Sequence, residues 1–168
     1  MKQAIAALFM FCTNMVAAQK GDKMNLLNDS SCVIIPYQSF HTWIFKDVTP
    51  TTLQPNEIKT IEKFLYSAVN KYNQQRVKEY ENYKKKDPSY TGNKKDVVIN
   101  LKEYRIQLMP VLNKKGEAEV WVNCFCRSYD IDWKKILVGV RDGGKCYFNL
   151  KINLSKKKYY DFMVNGVA

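Results

Sequence analysis

The chain changes its hydrophobic period once, and that change constrains its fold more than any other feature. Ile58, Ile61, Leu65, Ala68 and Tyr72 recur at steps of three and four, which puts them on one helical face, with Phe64 and Val69 widening the stripe. Pro55 pre-sets the first helical φ and Glu57 places an acid in the first turn, so the helix is expected to open there. From Gln74 to Lys86 the periodicity fades into polar and charged residues, which predicts an exposed helical tail stopped by Asp87-Pro88. Ser89 to Asp96 reads as a loop.

Beyond that loop the period drops to two. Tyr104 to Leu112, Glu119 to Cys126, Ile136 to Val140, Cys146 to Leu154 and Tyr159 to Val164 are rich in β-branched and aromatic residues and read as five strands. Asn113 to Gly116, Asp142-Gly143-Gly144 and Ser155 to Lys158 are compact polar or glycine-bearing joins, so the sheet is expected to be an antiparallel meander. Alternation sets Val120, Val122, Cys124 and Cys126 against Trp121, Asn123 and Phe125. It likewise sets Cys146, Phe148, Leu150 and Ile152 against Tyr147, Asn149, Lys151 and Asn153, which predicts one wet face. A long helix across the dry face of about four to five antiparallel strands makes an α+β roll, in the element order of a cystatin-like arrangement. Upstream, Cys32 to Ile35 and Phe40 to Phe45 are short β-prone runs parted by Pro36, read as strands or an ordered arm.

Residues 1–18 read as an export signal. Lys2 is the only charge, Ala4 to Phe11 form an apolar run, and Val16-Ala17-Ala18 suits cleavage before Gln19. The run is short for a bilayer span and no stop-transfer segment follows it. The expectation is an exported protein, periplasmic or extracellular, with residues 19–168 forming a single α+β domain. Loss of Lys2 with the leader takes the formal net charge from +11 to +10, so the mature chain stays basic. That charge suits an acidic protein, an anionic envelope polymer or a headgroup layer. Nucleic acid is disfavoured by export, although Tyr159 and Tyr160 are aromatics of the kind on which bases stack.

Cys12 leaves with the leader, and the even set that remains, Cys32, Cys124, Cys126 and Cys146, is a candidate disulfide framework for an oxidising compartment. Cys124 and Cys126 lie on one strand face roughly 6.5–7 Å apart, at the edge of disulfide geometry. A bridge from Cys146 to Cys126 or Cys124 is easier, with Cys32 reaching the cysteine left over. The bland alternative makes them small buried hydrophobes. No metal or other cofactor is expected, because the ligands are too few and too scattered.

His41 is the only histidine and stands beside Phe40, Thr42 and Trp43, with no marked nucleophile near it, so a structural role is expected. Asp130 and Asp132 offer either a carboxylate pair or a polar cap to a strand. Asp142-Gly143-Gly144 lacks the length and the lysine-serine ending of a phosphate loop. Counting turns along the five-strand meander puts Lys114 and Lys115 at one end. Lys134, Lys135, Lys156, Lys157 and Lys158 fall at the other, with Lys94 and Lys95 leading into the first strand. These seven lysines form a candidate anion-binding end.

Three blocks carry a resemblance: Glu119-Val120-Trp121-Val122-Asn123-Cys124-Phe125-Cys126, Asp142-Gly143-Gly144-Lys145-Cys146-Tyr147-Phe148, and Val164-Asn165-Gly166-Val167-Ala168. Together with Phe45-Lys46-Asp47 and the helix through Tyr72-Asn73, they resemble a group of small exported proteins of Bacteroidota-type bacteria. The resemblance implies an envelope or periplasmic address and no particular activity. The leading expectation is an exported non-enzymatic binding or inhibitor-like module. The alternatives are a small-ligand carrier or enzyme with a pocket between helix and curved sheet, lined by Trp43, Trp121 and Trp133, and charge-driven attachment to an anionic polymer or membrane surface.

Overall fold

The long helix, α1 (Pro55–Lys86), opens where the sequence places it, because Glu57 closes a capping box on Gln54, its carboxylate accepting the Gln54 backbone N–H at 2.8 Å. The computed structural model describes residue 25 and residues 30–166; the expected leader over residues 1–18, with Cys12, lies outside the described residues. Ile58, Ile61, Leu65, Ala68 and Val69 are the buried residues of α1. Asn73 then fastens the helix to the chain ahead of the sheet, donating to the Ile99 carbonyl at 2.8 Å and accepting the Ile99 N–H at 2.7 Å. A helix of 32 residues is about 48 Å long, whereas strands of 8 residues reach only about 26 Å, so the last turns overhang the sheet. Tyr80 and Tyr83 pack on Tyr90 beneath this overhang, and the Tyr80 hydroxyl donates to the Gly92 carbonyl at 3.0 Å. Within the expected loop a short helix, α2 (Lys94–Val97), forms because Asn93 caps it by accepting the Lys95 N–H.

The fold is α+β, with a mostly antiparallel sheet of six strands: β1 (Cys32–Ile34), β2 (Thr49–Pro50), β3 (Arg105–Leu112), β4 (Ala118–Phe125), β5 (Tyr147–Asn153) and β6 (Lys158–Val164). The order is β1-β3-β4-β5-β6, and β2 also pairs with β3. β1 runs parallel to β3 along Ile106 to Leu108, and β2 antiparallel along Val111 and Leu112. Pro110 explains why two short strands share that edge. Its neighbours Ile106 and Leu108 point their backbone groups outward to Ser31 and Ile35, and at the same phase Pro110 has no N–H to offer.

One sheet face carries Ile106, Leu108, Val120, Val122, Cys124, Phe148, Leu150 and Ile152, none more than 1% exposed, and α1 packs across it. The opposite face, expected to be wet, is covered. An arm carrying Ile35, Ile44 and Phe45 packs on Met109, Val111 and Trp121, while Trp133 and Val138 pack on Phe125 and Tyr147. Phe40 to Phe45 is accordingly no strand. It turns through a short 3-10 helix, Ser39–His41, in which the His41 ring nitrogen Nδ1 accepts the Gln38 N–H at 3.0 Å.

The segment Ile136 to Val140 also departs from expectation and forms no strand. Its backbone is satisfied by side chains instead. The Gln107 amide donates to the carbonyls of Trp133 (2.6 Å) and Ile136 (2.8 Å) and accepts the Val138 N–H at 3.0 Å. Asn123, opposite Gln107 in the sheet, donates to the Gln107 side-chain oxygen at 3.1 Å and to the Val138 carbonyl at 2.8 Å. The segment therefore lies across the sheet as a cover and does not join its edge. Gln107→Met keeps the volume but leaves several buried groups without partners, so a loss of about 3 kcal/mol in urea unfolding is expected. Unchanged stability in that variant would contradict this account of the cover.

Candidate functional site

With Ile136 to Val140 outside the sheet, β4 is followed directly by β5, and the β5–β6 turn returns to the end that holds the β3–β4 turn. The lysine groups change partners accordingly. Lys156 and Lys158 share a cavity of about 520 Å³ with Lys114 and Lys115, and Lys46 of the arm joins them. This corrects the expected grouping of Lys156, Lys157 and Lys158 with Lys134, Lys135, Lys94 and Lys95. Lys135 pairs with Asp132 at 3.2 Å, and the Lys134 ammonium lies 5.8 Å from the centre of the Trp133 ring, which is itself against Arg105 at the start of β3. Lys94 pairs with Glu81 at 3.2 Å, and the Lys95 carbonyl accepts from the Lys145 ammonium at 2.7 Å, just before β5. Those four residues thus belong to the opposite end of the strands.

The two hairpin turns are joined by a network built on Glu117 and Glu119. Asn113 opens its turn as an Asx cap, accepting the N–H groups of Lys115 and Glu117, and Gly116 supplies the positive φ of 72° that completes it. The Asn113 amide then donates to Glu117 at 3.0 Å and Glu119 at 2.9 Å. Asn153, opposite Glu119 in the sheet, donates to the same two oxygens at 3.0 and 2.8 Å. Tyr160 donates to the other Glu119 oxygen at 2.6 Å, and Lys156 pairs with Glu117 at 2.8 Å. Both carboxylates are therefore spoken for. Hydrogen bonds from Lys156, Asn113 and Asn153 hold the Glu117 carboxyl down from its ordinary 4.5 to about 2. Burial, then the bond to Glu119, pushes the Tyr160 hydroxyl up. Lys114 pairs with Asp47 at 3.0 Å, whereas Lys46, Lys115 and Lys158 form no ion pair among the described residues.

A second concavity, about 430 Å³, lies between the arm and the 126–146 loop and takes in His41, Trp43, Phe40 and Ile136. Trp43 and Phe40 are 65% and 67% exposed, and Trp43 stands edge-on to Trp121 at 5.7 Å. Trp43, Trp121 and Trp133, the three tryptophans expected to line a pocket, all lie on the sheet face away from α1, and Trp43 alone of them lines this concavity. His41 is buried, which lowers its pKa, and its Nδ1 is committed to the turn at Gln38. Asp130 and Asp132 are exposed loop residues. Among the described residues no group of three or more histidine, cysteine, aspartate or glutamate side chains is placed to hold a metal ion.

Of the four candidate cysteines, Cys126 and Cys146 are bridged, with Cα atoms 5.1 Å apart, closing the cover loop at its base. Cys32 does not reach Cys124, because both face Ile106 from opposite sides, roughly 9.5 Å apart and beyond disulfide range. Cys124 is a fully buried thiol whose pKa burial raises. Sequence reading missed Lys46, Asn113, Glu117, Glu119 and Asn153 as a group. The available signal was Glu119, the one charged residue of β4.

Glu117 has a folded pKa below its unfolded one, so its contribution to stability is complete above about 4.5 and is lost as pH falls through about 2. Wild type should therefore be more stable than Glu117→Gln at neutral pH, with the gap closing in urea titrations taken down that range. A gap that stays constant with pH would contradict the network.

Comparison with protein-family models, curated proteins and solved structures finds no match for this chain, so its functional reading rests on the geometry of these two concavities.

Proposed function

We propose that the protein is an exported, non-enzymatic binding module, a cystatin-like roll whose hairpin end holds an anionic polymer of the cell envelope. The observation that carries this reading is the convergence of five lysines from the arm and the two hairpin turns on one concavity. Three carboxylates line the same space, leaving a net of two positive charges there. Glu117 and Glu119 are held by internal partners, so they stiffen the turns that carry the lysines and are not open to an incoming cation. Lys46, Lys115 and Lys158 are left to face solvent and an anion. Their setting favours long-range attraction over tight recognition, since exposed charges act through a screened field. Binding of this kind needs no catalytic group, and His41 is taken up by the arm's own turn.

The test is affinity for polygalacturonate at rising salt. Affinity should fall steeply between about 50 and 500 mM salt as the Debye length shrinks. The triple variant Lys46→Gln, Lys115→Gln, Lys158→Gln should bind about tenfold more weakly at low salt. Binding that ignores salt, or an unaffected triple variant, would contradict the reading.

A further inference from the structure

We infer that the overhanging end of α1 is a second polyanion-binding element, placed at the opposite pole from the hairpin end, so that one molecule bridges two anionic polysaccharide chains. This rests on the reading just given.

The course of α1 establishes the two poles. β2 pairs with the last residues of β3 and Thr51 donates to the Pro110 carbonyl, so the chain enters the helix beside the hairpin end. Along the helix Phe64 meets Tyr159 near the start of β6, Tyr72 meets Phe162 further down it, and Asn73 reaches Ile99, just ahead of β3. Residues 74–86 then continue past the sheet for about 20 Å.

Charge and support both mark this overhang. It carries five basic residues against two acidic ones. Both acids are engaged, Glu79 by Arg76 and Glu81 by Lys94. Lys78, Lys84, Lys85 and Lys86 are exposed and form no ion pair among the described residues. Lysines in a last turn offset the helix dipole, but that effect is confined to the last turn and accounts for neither Lys78 nor the length of the extension. A helix without a packed face is marginal in water, yet this one is braced by the Tyr80, Tyr83 and Tyr90 cluster. The brace holds a basic tip away from the body. No residue of 70–86 is buried and the stretch is rich in charge, which suits a soluble polymer and not insertion among lipids. Lysine, a point charge, makes up the tip and the hairpin cluster alike. Arginine, whose planar fork suits phosphate and nucleic acid, is absent from the hairpin cluster, and the one arginine of the overhang, Arg76, is taken up by Glu79. Spaced carboxylate or sulfate groups along a polysaccharide therefore fit both ends. The poles lie toward opposite ends of a helix about 48 Å long, several times the Debye length of about 10 Å at 0.1 M salt, so each end acts independently and a single molecule joins separate chains.

The experiment is light scattering of the full chain mixed at low salt with long polygalacturonate, alongside its affinity for a short oligogalacturonate unable to span the poles. Wild type should give turbidity that rises and then falls with excess protein, and should bind two short oligomers per molecule. The variant Lys84→Gln, Lys85→Gln, Lys86→Gln should bind one oligomer and lose the turbidity, while Lys84→Arg, Lys85→Arg, Lys86→Arg keeps both, with circular dichroism showing the helix intact. A glutamine variant as turbid as wild type, or a wild type binding one oligomer, overturns the bridge but leaves the hairpin-end reading standing. No binding of wild type to either probe overturns both. Stronger binding to single-stranded DNA of matched charge overturns the assignment to a polysaccharide.

Discussion

The side-chain amide of Gln107 is the constraint from which the rest of the structure follows. It stands in for a neighbouring strand, meeting one N–H and two carbonyls of the cover loop at 2.6 to 3.0 Å. A buried amide on a sheet face is costly unless all its bonding capacity is used. Here Asn123 completes the set, and the pair supports a segment whose β-branched residues would otherwise seek a ladder. The Cys126–Cys146 bridge closes the same loop at its base, limiting how far the cover can travel when the amide contacts open.

Taking one segment out of the sheet reverses the sense of every later turn. β5 and β6 exchange the ends they would have had in a five-strand meander, and the lysines of their turn arrive beside those of the β3–β4 turn. The Glu117 and Glu119 network then joins the two turns, so the positive charge at this end is carried on a stiff support. The helix contributes the other pole. Its first half covers the sheet and its second half reaches beyond it. Among the described residues no helix is long and apolar enough to cross a membrane.

Much of this was legible from residue order. The helix begins at Pro55 and ends at Lys86 because a capping pair and a proline stop are local signals, read without tertiary knowledge. Four of the five expected strands form within a residue or two of their expected limits, because alternation is likewise local. What escaped was decided at long range. Ile136 to Val140 has strand composition, and only the side chains of Gln107 and Asn123, some thirty and fifteen residues away, direct it elsewhere. The covered second face escaped for a related reason. Lys151 and Asn149 alternate as solvent residues do, yet Lys151 lies over the Phe45 ring and Asn149 accepts from Trp121. The site inherited the same error, since a miscounted strand reassigns a whole group of lysines.

Proximity between lysines tests this topology most directly. A short lysine-reactive cross-linker, followed by peptide mass spectrometry of the disulfide-intact protein, should join Lys114 or Lys115 to Lys156 or Lys158. Links from Lys134 or Lys135 to Lys156, Lys157 or Lys158, with the first set missing, would mean that Ile136 to Val140 is a strand after all and that the hairpin end does not exist.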